Sequence, residues 1–238
     1  MKGKFAIKLL AGFLPTLLGC SILVKAHAQI LDHPVRPESE RALDGVRKPV
    51  EVLRFYGVKA GDRVADLMAS RGYYTALLAL TVGDKGVVYS ANAATRKELK
   101  DRLSDPVLAN VRPVEGPMNQ VPLPADGSLD FVLINLNYHD LDIETRLAMN
   151  RRVFAALKPG GSYGIVDHAA KDGSGNAVAN TLHRIDKALV IKEAASTGFV
   201  LAGEGNMLRN PEDDRTTNTL KEGRGKSDRF VLRFQRPK

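Results

Sequence analysis

Two histidines stand beside carboxylates in polar runs that each follow an apolar run: Asn135-Leu136-Asn137-Tyr138-His139-Asp140 and Asp167-His168. A histidine with a neighbouring carboxylate can act as a general base poised near neutral pH. His139, oriented by Asp140 or Asp167, is therefore read as deprotonating or positioning a substrate nucleophile, with Asn137, Tyr138 and His168 beside it. A plainer reading stands next to it, in which His139 and His168 only satisfy loop carbonyls at strand ends. His and Asp are also competent metal ligands, so an ion held by His139, Asp140, Asp167 and His168 is an alternative. No spacing signature supports it, and no metal residue is assigned.

A second stretch, Val64 to Thr75, reads as a buried strand over Arg63 to Leu67, a tight turn, and a helix from Gly72. A strand that feeds a helix through such a turn presents backbone N–H groups to a ligand.

The elements that must position these groups follow from periodicity and punctuation. Ser39 to Arg47 reads as helical, and Pro49 opens a helix that stops at Gly57. Val87 to Ser90 and Val111 to Val114 read as short strands, with a charged helix from Ala94 to Leu103 between them. Leu129 to Ile134 is a continuous apolar run of the buried parallel kind. Asp142 caps a helix from Ile143 to Leu157, with Ile143, Leu147, Phe154 and Leu157 on its apolar side and Lys158-Pro159-Gly160-Gly161 as its stop. Ser162 to Val166 is a fifth strand, Asn180 to Thr197 a further helix, and Phe199 to Ala202 and Arg229 to Phe234 the last strands. The polar segment Gly205 to Asp228 has little periodicity and reads as a lid or flexible loop. His183 is read as a packing or surface residue, and of Tyr73 and Tyr74 one as core and one as lining the cleft. This alternation predicts one α/β domain with an open, mostly parallel, doubly wound sheet. The fourth and fifth strands are then neighbours about 5 Å apart, which brings both histidine runs to the carboxyl edge of the sheet.

Of 238 residues, 44% are hydrophobic and 26% charged, which suits one globular core rather than a disordered chain. The single cysteine, Cys20, rules out a disulfide framework or a cysteine-rich metal site. Residues 1–28 read as a secretory signal peptide. Lys2, Lys4 and Lys8 precede the apolar Leu9 to Leu18, and Ala26-His27-Ala28 is the cleavage signal. A lipoprotein anchored at Cys20 is the lesser alternative, and the expected place is periplasmic or secreted, with no stable membrane span after cleavage. Without the leader's four lysines, 31 of the 35 Lys and Arg remain against 27 acids, a balance of +4. No basic face with aromatic support is evident, so no nucleic-acid partner is expected. The basic Arg224-Gly225-Lys226-Ser227-Asp228-Arg229 stretch reads first as a solvated turn with Asp228 pairing Arg229, and second as an anion contact. Arg209-Asn210-Pro211 reads in the same way. Residues 29–61 form an N-terminal linker with helices, and residues 62–238 the main domain.

From about Asp62 to Pro237 the order of elements resembles class I S-adenosylmethionine-dependent methyltransferases. It is most similar to the exported "predicted methyltransferase" family. The likeness rests on Arg47-Lys48-Pro49, Gly72-Tyr73-Tyr74-Thr75, Asn137-Tyr138-His139-Asp140, Leu157-Lys158-Pro159-Gly160-Gly161, Val166-Asp167-His168, Leu208-Arg209-Asn210-Pro211 and Arg224-Gly225-Lys226-Ser227-Asp228-Arg229-Phe230. The resemblance implies a seven-stranded Rossmann-like sheet with an antiparallel final hairpin, and methyl transfer from S-adenosylmethionine to an unknown small or surface-borne acceptor. It implies cofactor contacts at Asp66, Met68, Ser70, Gly72 and Asn92. Met68 and Ser70 stand where the family carries glycines, Asn92 where it carries an acid, and Pro117 where it carries an aspartate for the adenine amino group. Those departures imply an altered or weaker hold on the cofactor. They keep open a binding protein on the same fold that has lost it, and a metal-assisted enzyme built on the His/Asp groups.

Overall fold

Seven strands, β1 (Arg63–Leu67), β2 (Val87–Asn92), β3 (Val111–Glu115), β4 (Leu129–Asn135), β5 (Leu157–His168), β6 (Val200–Gly205) and β7 (Arg229–Gln235), pair in the order β3-β2-β1-β4-β5-β7-β6. The computed structural model describes residues 29–221 and 225–238. The leader, Cys20 and Arg224 lie outside the described residues. The first five strands run parallel, and β7 lies antiparallel to both β5 and β6. Helices are α1 (Glu38–Arg41), α2 (Asp44–Arg47), α3 (Pro49–Tyr56), α4 (Tyr73–Val82), α5 (Lys97–Arg102), α6 (Ile143–Ala156), α7 (Ala179–Leu182) and α8 (Lys187–Ser196).

Strand alternation sorts the core into two layers. Ala65, Leu67, Val132, Ile134 and Ile165 pack with Met149 and Val153 of α6 and Val190 and Ala194 of α8. Val64, Phe131, Leu133 and Val166 pack with Val52 and Leu53 of α3 and Leu77 and Leu78 of α4. Burying one such side chain contributes about 1.5–3 kcal/mol, so both sheet faces are covered by helices that hold strand ends in register. Among the described residues no helix is long and apolar enough to cross a membrane.

The order of elements is as the sequence implies, but several boundaries differ for identifiable reasons. The Ser39 to Arg47 stretch is two short helices, and Lys48 turns left-handed at φ 45° before Pro49. The Pro159-Gly160-Gly161 run does not precede β5 but lies within it. Leu157, fully buried, already pairs with Leu129, and the Gly160 N–H donates to the Arg236 carbonyl at 2.8 Å.

The Asn180 to Thr197 helix is broken. Ile185 is buried and bridges to Ala169, while Arg184 is buried against Asp213 and the carbonyls of Thr217 and Ala169. Neither residue can reach those partners from a continuous helix. α7 therefore ends at His183 with φ 54°, and Asp186 caps α8 by accepting from the Ala188 N–H.

α6 also turns a different face inward. Asp142 caps it as expected, yet Arg146, Met149, Asn150, Val153 and Ala156 are buried and Ile143 is exposed. The reason is a bidentate ion pair: Arg146 Nε and Nη2 donate to Glu193 of α8, both at 2.8 Å. A polar pair of this kind hides the buried face from any hydrophobicity pattern.

Removing one partner of a buried pair strands the other, at a cost of about 3–5 kcal/mol. Arg146→Met should lower the unfolding free energy by that amount in urea denaturation, and Arg146→Met with Glu193→Leu should regain a large part of it.

Candidate functional site

The parallel register places the ends of β1, β2, β4 and β5 side by side. Leu67 pairs with Ala91 and Ile134, Asn92 with Glu115, and Asn135 with Val166. After β4 the chain turns through Leu136 at φ 61°, whose N–H donates to the Val166 carbonyl at 2.8 Å. A short 3-10 turn over Tyr138–Asp140 then sits above the end of β5. Both histidine runs meet at this carboxyl edge.

Asp167 organises that meeting. It is fully buried, and its carboxylate accepts three hydrogen bonds. The His139 N–H reaches Oδ2 at 2.8 Å, the His168 N–H reaches Oδ1 at 2.7 Å, and the His139 ring Nδ1 reaches Oδ1 at 2.7 Å. The other ring nitrogen, Nε2, lies 3.1 Å from Asp140 Oδ1. Burial opposes charge on the His139 ring, but Asp167 and Asp140 outweigh it and push its pKa up to about 10.

Both ring nitrogens of His139 thus face a carboxylate, which favours the charged ring over the neutral one. Sequence shows that carboxylates are near a histidine, but not that both ring nitrogens face one.

His168 has the opposite character. Burial, and the positive charges of His139, Arg229 and Arg184, lower its pKa to about 4 against the pull of Asp167. Its Nδ1 pairs with Ser227 Oγ at 2.7 Å, and Nε2 makes no hydrogen bond among the described residues. The neutral ring with an open nitrogen is His168.

The remaining expected site residues divide. Asn137 Nδ2 donates to Asp140 Oδ2 at 3.0 Å and stays at the edge. Tyr138 leaves the site: its ring is fully buried, its hydroxyl donates to Glu193 Oε2 at 2.9 Å, and it accepts from Asn150 Nδ2. It anchors the turn to α6 and α8 and cannot touch a substrate. His183, expected elsewhere, joins instead. Its ring lies 5.5 Å from that of His139, and its Nδ1 is 3.6 Å from Asp140 Oδ1. Only the helix break at Arg184 and Ile185 brings it there.

The turn after β1 keeps an unusual backbone. Met68, Ser70 and Gly72 all have positive φ, at 51°, 55° and 88°. Left-handed backbone costs an L-residue with a Cβ roughly 1–2 kcal/mol, and such strain persists only where the surroundings impose it. Here the Met68 side chain packs against the core and the Ser70 N–H donates to Asn92 Oδ1 at 2.7 Å. Gly72 has no such latitude, because a Cβ would lie 2.6 Å from the Arg102 guanidinium. Arg102 itself donates to the Gly72 carbonyl at 2.7 Å and pairs with Glu40 of the N-terminal segment. Tyr73 and Tyr74 are both buried, with the Tyr73 hydroxyl donating to Asp44 at 2.6 Å, so neither lines a cleft.

Among the described residues, Asn92 Nδ2, Thr95 Oγ1, Tyr74 Oη and Arg102 Nε are buried around this turn without a hydrogen-bond partner. Asp66 accepts from the Thr75 hydroxyl at 2.7 Å, and burial pushes its carboxyl up to about 7 against that bond. Pro117 begins the 3-10 turn Met118–Gln120 and offers no side-chain acceptor. A cleft of about 800 Å³ along the outer side of α6 and one of about 460 Å³ at the amino end of the sheet include no residue of this turn or of the histidine cluster.

In the segment before β7, read as a lid or flexible loop, ion pairs pin the described residues around Asp213 and Asp228. Asp213 pairs with Arg184, and Asp228 with Arg209 and Arg215. Asp228 therefore does not pair with Arg229, whose guanidinium donates to the Val46 carbonyl at 2.8 Å. The Asn210 N–H also goes to Asp228, at 2.9 Å, and Lys226 is exposed. No anion cradle forms among the described residues of this stretch.

No protein-family model matches the chain. A ubiquinone/menaquinone biosynthesis C-methyltransferase UbiE of Teredinibacter turnerae is 35% identical over 113 residues, 46% of this chain and 44% of that protein. The chain thus aligns with less than half of that relative's length. A SAM-dependent methyltransferase from Aquifex aeolicus superposes with a TM-score of 0.63 at 20% identity, over 88% of this chain and 98% of that one. The chain has the class I methyltransferase fold. The [4+2]-cyclase SpnF superposes almost as well, with a TM-score of 0.62 at 13% identity over 92% of this chain and 94% of that one. A class I methyltransferase fold therefore does not by itself name a reaction.

The residues that sequence reasoning missed are His183, Thr75, Thr95 and Ser227. Thr75 had a signal, its place one turn into the helix that follows Asp66. Ser227 lay in one of the stretches that carry the resemblance but was not tied to His168, and His183 had no signal, since chain segments distant in sequence bring it and Asp140 together.

Asp66 gives a pH prediction. Its carboxyl keeps its proton to about pH 7 in the folded chain, against an ordinary 3.8, so the stability it contributes at low pH is lost as pH rises through that window. Asp66→Asn should flatten the fall in unfolding free energy between about pH 4 and about pH 7, measured by urea titration at each pH.

Proposed function

We propose that the chain is an S-adenosylmethionine-dependent methyltransferase acting on a small or surface-borne acceptor. The observation that carries this reading is the left-handed backbone kept at Met68 and Ser70. The chain retains, with side chains at both positions, the turn shape that a glycine-rich loop adopts freely. The orphaned Asn92 Nδ2 and Thr95 Oγ1 at the end of β2 fit a ligand whose hydroxyls accept and donate there. Asp66, the backbone of Met68 to Gly72, Asn92 and Thr95 would hold the cofactor. Pro117 removes one adenine contact that the fold usually supplies. The likeness to the C-methyltransferase of Teredinibacter turnerae supports the same reading.

Bound there, S-adenosylmethionine supplies a methyl group on a sulfonium, open to in-line attack. The chain's own work is to position the acceptor beside it. His168, its Nδ1 held by Ser227, would orient the acceptor by taking its hydrogen bond at Nε2, with the proton released to solvent. Asp167 and His139 fix the loop over the reaction space without exchanging protons with the acceptor. The leader read at residues 1–28 extends the reading to an exported enzyme, like the family it resembles.

Calorimetric titration of the protein with S-adenosylmethionine and S-adenosylhomocysteine tests this. Saturable heat is expected with both. Asn92→Ala should weaken binding about tenfold, the worth of a hydrogen bond and of the turn it holds. No heat at millimolar ligand would overturn the reading. If the leader is cut, intact-mass analysis of the exported protein should find Gln29 as its first residue.

A further inference from the structure

We propose that His139, Asp140 and His183 form a binding site for one divalent transition-metal ion of the zinc class. The ligand atoms are His139 Nε2, an Asp140 carboxylate oxygen and His183 Nδ1. All three lie within 4.8 Å of one another, with Asp140 Oδ1 3.1 Å from the first ring and 3.6 Å from the second. Ligand atoms about 2 Å from a common ion stand about 3–3.5 Å apart in a tetrahedron, so a small contraction closes the set.

Three features beyond proximity point to an ion. The outer contacts of a metal site are already in place. His139 Nδ1 is held by the buried Asp167 at 2.7 Å, the carboxylate–histidine arrangement that fixes the ring so that Nε2 faces the ion. Asn137 occupies Asp140 Oδ2 at 3.0 Å, which leaves Oδ1 as a single ligand oxygen.

The second feature is the backbone at His183. At φ 54° His183 ends α7, and its ring Nδ1 stands 3.6 Å from Asp140 Oδ1. The third is exposure. His139 is 4% exposed at its side chain, whereas Asp140 and His183 are 35% and 28% exposed. The cluster is therefore closed behind and open in front, the pattern of a site with three protein ligands and a free position for water or a substrate oxygen.

Two imidazoles and one carboxylate favour zinc, cobalt or iron over magnesium or calcium, which prefer oxygen. On binding, the Nε2 proton leaves to solvent and the ion takes its place between Nε2 and Asp140. This ligand set differs from the one expected from sequence. Asp167 stands behind His139 rather than on the ion, His168 is turned to Ser227, and His183 replaces both. The site does not depend on the methyl-transfer reading, and its test needs no S-adenosylmethionine.

Chelator-stripped full chain is titrated with zinc by calorimetry and with cobalt by visible absorption. One equivalent of zinc and a cobalt ligand-field band are expected. His183→Ala and Asp140→Asn, checked for folding by circular dichroism, should each weaken zinc binding at least about tenfold. Asp167→Asn should weaken it about 10–100-fold, as loss of an outer-sphere carboxylate does. His33→Gln, remote from the cluster, should leave it unchanged. Absence of binding to the wild-type chain, or equal binding in the folded His183→Ala and Asp140→Asn chains, would overturn the proposal.

Discussion

One buried carboxylate holds the carboxyl edge of this sheet together. Asp167 lies one residue before the end of β5 with no access to water, and its three hydrogen bonds go to His168 and to the ring and N–H of His139 in the loop that follows β4. A carboxylate taken out of water is costly unless it is paired and fully bonded. The chain meets that demand by bringing His139 across from the neighbouring strand. The conformation of Tyr138–Asp140, the charge on His139 and the tilt of both rings all follow from that one demand. Tyr138 locks the same turn from behind through Glu193 and Asn150, so the loop is held on two sides.

The turn after β1 is held by two polar side chains, Arg102 on the Gly72 carbonyl and Asn92 on the Ser70 N–H. Asn92 spends its oxygen on the Ser70 N–H and keeps a buried amide hydrogen unpaired. An acidic residue at this place would hold both ribose hydroxyls; the amide holds the strained turn and offers one donor. Ser70 and Asn92 are thus coupled, the amide oxygen of one bracing the left-handed backbone of the other. The split between the two histidines is coupled in the same way. The positive charge fixed on His139 is part of what keeps His168 neutral.

How much of this could be read from residues alone depends on what kind of pattern carried it. The alternation of strands and helices was legible, because Leu129 to Ile134, Val64 to Leu67 and the Gly and Pro punctuation carry local signals, while the final antiparallel hairpin came with the resemblance. The meeting of His139 with Asp167 was legible too, since neighbouring parallel strands must end together. The inward face of α6 was not. Arg146 and Asn150 look solvated until Glu193 and Tyr138 are placed opposite them. The break at His183 was equally hidden, because Ile185 and Arg184 leave the helix to satisfy Ala169 and Asp213, partners set by tertiary structure. Charged pairs buried out of sequence reach defeat a pattern built on apolar spacing.

The claim that Asp167 holds the loop is tested most directly by hydrogen exchange. Asp167→Asn keeps the shape of the side chain but turns one acceptor oxygen into a donor facing an N–H. Exchange measured by mass spectrometry over residues 136–142 should then be at least about tenfold faster than in the wild type. Peptides of β1 and β4 should stay as protected as before. Unchanged exchange over 136–142 in a folded Asp167→Asn chain would contradict the account.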